Sequence, residues 1–147
     1  MRTGSCALLL PGPTAAYGQS GENRPGKTGI AIEIVLGADT VLATLDGTHA
    51  VRDLLSLLPL AVTLEDYAAT EKIARLPRKL SIRDTPEGHE PRAGDFTYYA
   101  PWGNLALFYR DFRYSPGLVK LGTIVSGRDA LMKVTSAQVT IALSRRP

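Results

Sequence analysis

The sequence predicts a mainly β chain that closes as an eight-stranded β-barrel with two short helices. From Ile30 onward, apolar residues recur with period two in many short runs, the pattern of half-buried strands. Only two stretches carry helical spacing, and strands and helices do not alternate as βαβ units. Many short strands in one chain of this size favour closure, which removes aggregation-prone sheet edges.

Taken in order, Ile30, Ile32, Ile34 and Leu36 alternate with Ala31, Glu33 and Val35, and Val41, Ala43 and Leu45 continue the pattern after Gly37-Ala38-Asp39, so a hairpin is expected there. Asp46-Gly47-Thr48 opens a helix in which Val51, Leu54, Leu55 and Leu58 share a face, and Pro59 ends it. Leu60, Val62 and Leu64 form the next strand, followed by a shorter one from Glu71 to Leu76. Residues 78–94 make a long polar connection, with a short strand expected at Leu80 to Ile82. Phe96 to Tyr99, Leu105 to Arg110, Val119 to Val125 and Ala137 to Leu143 complete the strands. Between the last two, Ser126-Gly127-Arg128-Asp129 resembles a capping box ahead of Leu131 and Met132.

The chain has 147 residues, 44% apolar, which argues for a folded chain, and its single cysteine, Cys6, excludes a disulfide framework. No run reaches the ~18 apolar residues of a membrane helix. Residues 1–29 hold 9 of the 24 Gly and Pro residues and show no hydrophobic period. They read as a flexible N-terminal extension or remnant signal segment, with residues 30–147 as the barrel domain. Leu8-Leu9-Leu10 and Ala16-Tyr17-Gly18 hint at export, but the apolar core ends at Pro11, short of the ~7–15 residues of a signal peptide. A cytoplasmic location is the default reading, with a periplasmic or secreted one as the alternative if that segment is a truncated signal. The net charge of +3 belongs to the ends of the chain, since residues 30–144 carry 12 basic and 13 acidic groups. The main argument for nucleic acid is thereby removed, and neither nucleic acid nor membrane is expected as a partner.

Gly21-Glu-Asn-Arg-Pro-Gly26-Lys27-Thr28 matches the phosphate-loop pattern letter by letter. A phosphate loop needs a strand before it and a helix after it. Here a Gly/Pro-rich tail precedes the motif and the Ile30 strand follows, so no nucleotide is expected. His49 and His89 stand forty residues apart, so a three-ligand zinc set is not available, and no nucleophile elbow is present. No metal, no cofactor and no catalytic residue is assigned.

The aromatic residues are the informative feature. Eight of the ten lie between Phe96 and Tyr114, around the turn Ala100-Pro-Trp-Gly-Asn104. By alternation Phe96 and Tyr98 share one face of their strand and Tyr99 takes the other. In a barrel one set must point outward, either as a cross-strand ladder or as the wall of a cleft. Glu71-Lys72 places charges inside a strand. Its ordinary role is an exposed face, while a buried Glu71 would need a partner such as Arg75, Arg110 or Lys72.

The blocks Leu57-Leu-Pro-Leu60, Glu71-Lys72, Leu76-Pro77, Gly94-Asp95-Phe-Thr-Tyr-Tyr-Ala-Pro-Trp-Gly-Asn104, Leu107-Phe-Tyr109 and Leu121-Gly122 resemble the bacterial cyclophilin-like fold family across roughly residues 30–144. The resemblance implies an eight-stranded barrel with two helices, as the periodicity does. True cyclophilins bind a proline-containing peptide on the outer barrel face through an arginine, an aromatic, a glutamine and a histidine. Their Phe-His-Arg and Gln-Gly-Gly-Asp blocks are not found here, only Gly94-Asp95 echoing the latter, so the isomerase residues do not carry over. The expectation is a cyclophilin-like protein that binds a small molecule or short peptide at a cleft edged by Glu71, Tyr98, Trp102, Asn104, Tyr109 and Arg110. A peptidyl-prolyl isomerase and a protein-interaction module are the alternatives, and the oligomeric state is left open.

Overall fold

The computed structural model describes residues 29–145. The N-terminal segment with Cys6 and the phosphate-loop match lies outside the described residues, as does Arg146. The elements in chain order are β1 (Ile30–Leu36), β2 (Asp39–Leu45), α1 (His49–Leu55), β3 (Leu60–Tyr67), β4 (Glu71–Arg75), β5 (Gly88–His89), β6 (Asp95–Tyr99), β7 (Asn104–Phe108), β8 (Ser115–Pro116), β9 (Leu118–Ser126), α2 (Arg128–Lys133) and β10 (Ser136–Leu143). Eight of the strands close a barrel in the order β1-β10-β3-β4-β7-β6-β9-β2, and β5 pairs with β8 as a separate two-stranded ribbon. Every barrel pairing is antiparallel.

The period-two pattern decides what enters the barrel. Ile32, Ile34, Val41, Ala43, Leu45, Val62 and Leu64 all join one core with Phe96, Tyr98, Leu105 and Leu107. Phe96 is fully buried, and removing a ring of that size from water is worth roughly 1.5–3 kcal/mol. The β1–β2 hairpin pairs Leu36 with Asp39 across two turn residues, the first of which, Gly37, takes φ +57. A side chain at that φ would be strained, so glycine fits the turn.

The helices seal the core rather than extend it. In α1 the Thr48 hydroxyl accepts from the Val51 N–H at 3.2 Å, and Ala50, Val51 and Leu54 are buried. The helix ends at Leu55, one turn before Leu58, because Ser56 already caps it through its own N–H. In α2 only Leu131 is buried, and the expected capping box does not form. Gly127 stands at the N-cap with φ +86, and no side chain caps that end. A Cβ at Gly127 would lie 2.7 Å from the Thr40 carbonyl oxygen, so the close approach to β2 requires glycine.

The long connection from Leu76 to Gly94 is tied down without the strand expected at Leu80 to Ile82. Leu76 and Leu80 enter the core, and the Leu80 N–H donates to the Tyr98 hydroxyl at 2.9 Å. Asp53 of α1 accepts from Arg78 (2.8 Å) and from the Ser81 N–H (2.7 Å), and these bonds hold its carboxyl below the usual carboxylate range. Farther along, Asp95 accepts from the Arg92 N–H at 2.9 Å and lies 2.7 Å from His89 Nε2. The segment therefore keeps its place through side-chain clasps and two buried leucines, a pattern that alternation does not reveal.

Candidate functional site

On strands β4, β6 and β7 the residues that avoid the barrel core build a second, smaller apolar cluster on the outer face. Ala106, Phe108 and Leu118 are buried there, with Ile73, Tyr99 and Phe112 packed against them. Residues 109–117 fold back over this face and are fixed to the preceding connection. Phe112 N–H donates to the Pro91 carbonyl (3.0 Å), Gly117 N–H to the Glu87 carbonyl (2.8 Å) and Ala93 N–H to Asp111 Oδ1 (2.8 Å). The β5–β8 pairing adds Gly88 opposite Pro116 and His89 opposite Ser115.

Between this returning loop and the barrel wall lies a cleft of about 330 Å³. The barrel supplies Tyr67, Glu71, Ile73, Tyr99, Asn104, Phe108 and Leu118, the β6–β7 turn supplies Trp102, and the loop supplies Phe112, Arg113, Tyr114, Ser115 and Pro116. That volume falls at the small end of the range for ligand sites. A second groove of about 600 Å³ adjoins it past Trp102, where β3 and β4 separate beyond the Glu65–Ile73 pair.

Trp102 is 49% exposed at the lip of the cleft. Its ring meets Tyr67 edge-on at 5.5 Å and Tyr99 edge-on at 5.4 Å, the T-shaped geometry that aromatic quadrupoles favour. The turn that presents it is fixed by the Gly103 N–H donating to the Tyr99 carbonyl at 2.9 Å, with Gly103 at φ +69. Asn104 is buried in the wall, its amide donating to the Leu105 carbonyl at 2.9 Å.

Glu71 brings the cleft its acidic group. Its cross-strand neighbours are Tyr67 on β3 and Phe108 on β7, so a ring stands on each side of it. Among the described residues its carboxyl has neither a hydrogen-bond donor nor an ion-pair partner. Burial, and then the negative charge of Asp66, push that carboxyl up to about 7. Arg113 holds its guanidinium over the Phe112 ring at 4.6 Å. Ser115 carries a hydroxyl, but it donates to the Arg113 carbonyl at 3.1 Å. Among the described residues no group of three or more His, Cys, Asp or Glu could hold a metal ion.

Of the residues expected from the sequence, Glu71, Trp102 and Asn104 line this cleft. Tyr98 does not, because it is fully buried inside the barrel as the cross-strand partner of Leu105. Tyr109 and Arg110 lie past the end of β7 rather than within a strand. The Tyr109 hydroxyl donates to Asp66 Oδ1 at 2.5 Å, and burial and that carboxylate push the phenol up to about 12. Lys72 donates to Asp66 at 2.8 Å and to the Val134 carbonyl, with its ammonium 5.1 Å from the Tyr109 ring and Arg110 6.0 Å from it. The lysine is only 2% exposed, so the pair lies at the barrel rim as a structural clasp. Tyr67, Phe112 and Tyr114 are cleft residues that sequence reasoning missed.

The match of the Cyclophilin-like family model covers residues 34–144. The chain belongs to that family. No curated protein matches this cyclophilin-like chain. Its structure is similar to the solution structure of a hypothetical protein from Archaeoglobus fulgidus, with a TM-score of 0.62 and 15% identity over 79% of this chain and 95% of the archaeal one. At that identity the likeness is one of fold alone. Among the described residues, no helix of the cyclophilin-like chain is long and apolar enough to cross a membrane.

Proposed function

We propose that this cyclophilin-like barrel is a binding protein that takes a small molecule, or a short peptide side chain, in the cleft on its outer face. The observation that carries the reading is the cleft itself, a recess of about 330 Å³ walled by aromatic side chains from three barrel strands, a turn and a returning loop. Aromatic rings at fixed positions offer contact area at little entropic cost, and a few polar groups among them set orientation. Binding is the reading taken because Ser115, the aliphatic hydroxyl that lines the cleft, donates to a backbone carbonyl.

The test is a fragment screen by NMR on the full chain, following the indole N–H of Trp102, the one tryptophan in the sequence. Hits are expected to shift that signal and, by calorimetry, to lose about tenfold in affinity in Trp102→Ala, the scale of one aromatic wall removed. A screen whose hits all leave the Trp102 signal in place refutes the assignment.

A further inference from the structure

The acid in the cleft is the feature that apolar binding leaves unused. Tyr67 and Phe108 flank Glu71 as direct cross-strand neighbours, and Trp102 extends the ring series from Tyr67 to Tyr99. A carboxyl half-buried among rings without a donor is costly, and such groups in folded proteins are ordinarily paired. The cations of the neighbourhood are directed elsewhere. Lys72 is committed to Asp66 and Val134, and Arg113 stacks on Phe112 without an ion pair to Glu71.

Ring faces carry negative potential and attract cations, most strongly where water is excluded. A neutral apolar ligand would cover the carboxyl and leave it unpaired. An anion could meet Arg113 at the loop side of the cleft but would leave the Glu71 carboxyl unpaired and be repelled by it once ionised. A compact cation satisfies the acid and the rings together. We infer that the cleft takes a small organic cation, an alkylammonium or quaternary ammonium group seated among Tyr67, Tyr99 and Trp102 with Glu71 as its counter-charge. This rests on the cleft being a ligand site and adds the class of ligand.

The acid's position near neutrality, about 7, gives the pairing a pH signature. The charged and titratable groups that line the cleft with it are Tyr67 from β3, Tyr99 from β6, and Arg113 and Tyr114 from the returning loop, while Asp66 and Tyr109 act on it through their charge. Asp66 is held low and Tyr109 is held high. His89, on the ribbon behind the loop, contacts Asp95 and does not line the cleft. A ligand with a permanent charge therefore gains affinity as Glu71 ionises, whereas an uncharged one does not.

The experiment titrates the full chain with benzyltrimethylammonium and with neopentylbenzene, its uncharged carbon isostere, and reads Trp102 fluorescence. At about pH 8.5 the cation is expected to bind about tenfold or more tighter than the isostere, a ratio that shrinks toward about pH 5.5. Glu71→Gln, checked for fold by circular dichroism, is expected to bring the two probes near parity at both pH values. An isostere that binds as tightly as the cation, or a cation preference unchanged in Glu71→Gln, overturns the inference while the cleft stands as an apolar site. Should neither probe reach Trp102, the cation reading and the binding reading fall together. If the variant does not fold, a wild-type preference that fails to grow with pH is sufficient to overturn the inference.

Discussion

Replacing Glu71 by glutamine should stabilise the folded chain above neutral pH and leave it almost unchanged in acid. The unfolded carboxyl keeps the ordinary glutamate value of 4.5, and burial pushes the folded one up to about 7. Because the folded value is raised, the stability that this group contributes is complete below about pH 4.5 and is lost as pH rises through about 7. A displacement of that size corresponds to about 3 kcal/mol, which partial exposure of the side chain reduces to about 2. Glutamine keeps the shape and does not ionise, so the variant is spared the loss. The measurement is urea unfolding followed by far-ultraviolet circular dichroism, with both proteins compared at about pH 5 and about pH 8.5. Other carboxylates titrate in both proteins and cancel in the difference. A gain of about 2 kcal/mol at the higher pH is a sizeable share of the ~5–15 kcal/mol that holds a domain together. A difference that is the same at both pH values would refute the argument that burial, and not shape, governs this position.

Two further outcomes test the packing. Tyr98→Phe deletes the hydroxyl that accepts from the buried Leu80 N–H at 2.9 Å, and an unsatisfied buried donor costs about 1–3 kcal/mol. The thermal midpoint should fall while affinity at the cleft is unchanged, and a change in ligand affinity instead would move Tyr98 back into the site. Gly122→Ala places a Cβ 2.1 Å from the Thr44 carbonyl oxygen and 2.7 Å from Leu45 Cα, so β2 and β9 must part. A loss of about 1–3 kcal/mol or more is expected in denaturant titration, and wild-type stability would show that the two strands have room to spare.

Alternation carried most of the barrel because strand after strand buries one side only. The same alternation also sorts the aromatic residues between core and cleft. Leu105 and Leu107 mark the inner face of β7, and a strand paired to them with Phe96 and Tyr98 inward must turn Tyr99 outward. Tyr98 reads like a cleft residue only if its phenol is assumed to need solvent, and here it finds a backbone N–H instead. Tyr67 was hidden for a different reason. It stands about thirty positions from the aromatic cluster and reaches Trp102 only through the β3–β4–β7 pairing, which no local pattern encodes. The expected strand at Leu80 to Ile82 failed because those leucine and isoleucine positions serve a clasped loop, whose order comes from Asp53 and Tyr98. At α2, close approach to β2 demanded glycine where a capping side chain was expected.

The barrel core and the outer cleft are the two sides of one register on β4, β6 and β7. Residues facing the core alternate with residues facing the cleft, so the two environments change independently under point substitution. They do not change independently under insertion. One added residue in β7 would carry Phe108 into the barrel and Leu107 into the cleft, exchanging both environments along the strand in a single step. Change in the lining of the cleft is thus open to replacement at alternate positions and closed to length variation within those strands. The loop of residues 109–117 lies outside the barrel strands, so a change of its length leaves their register in place.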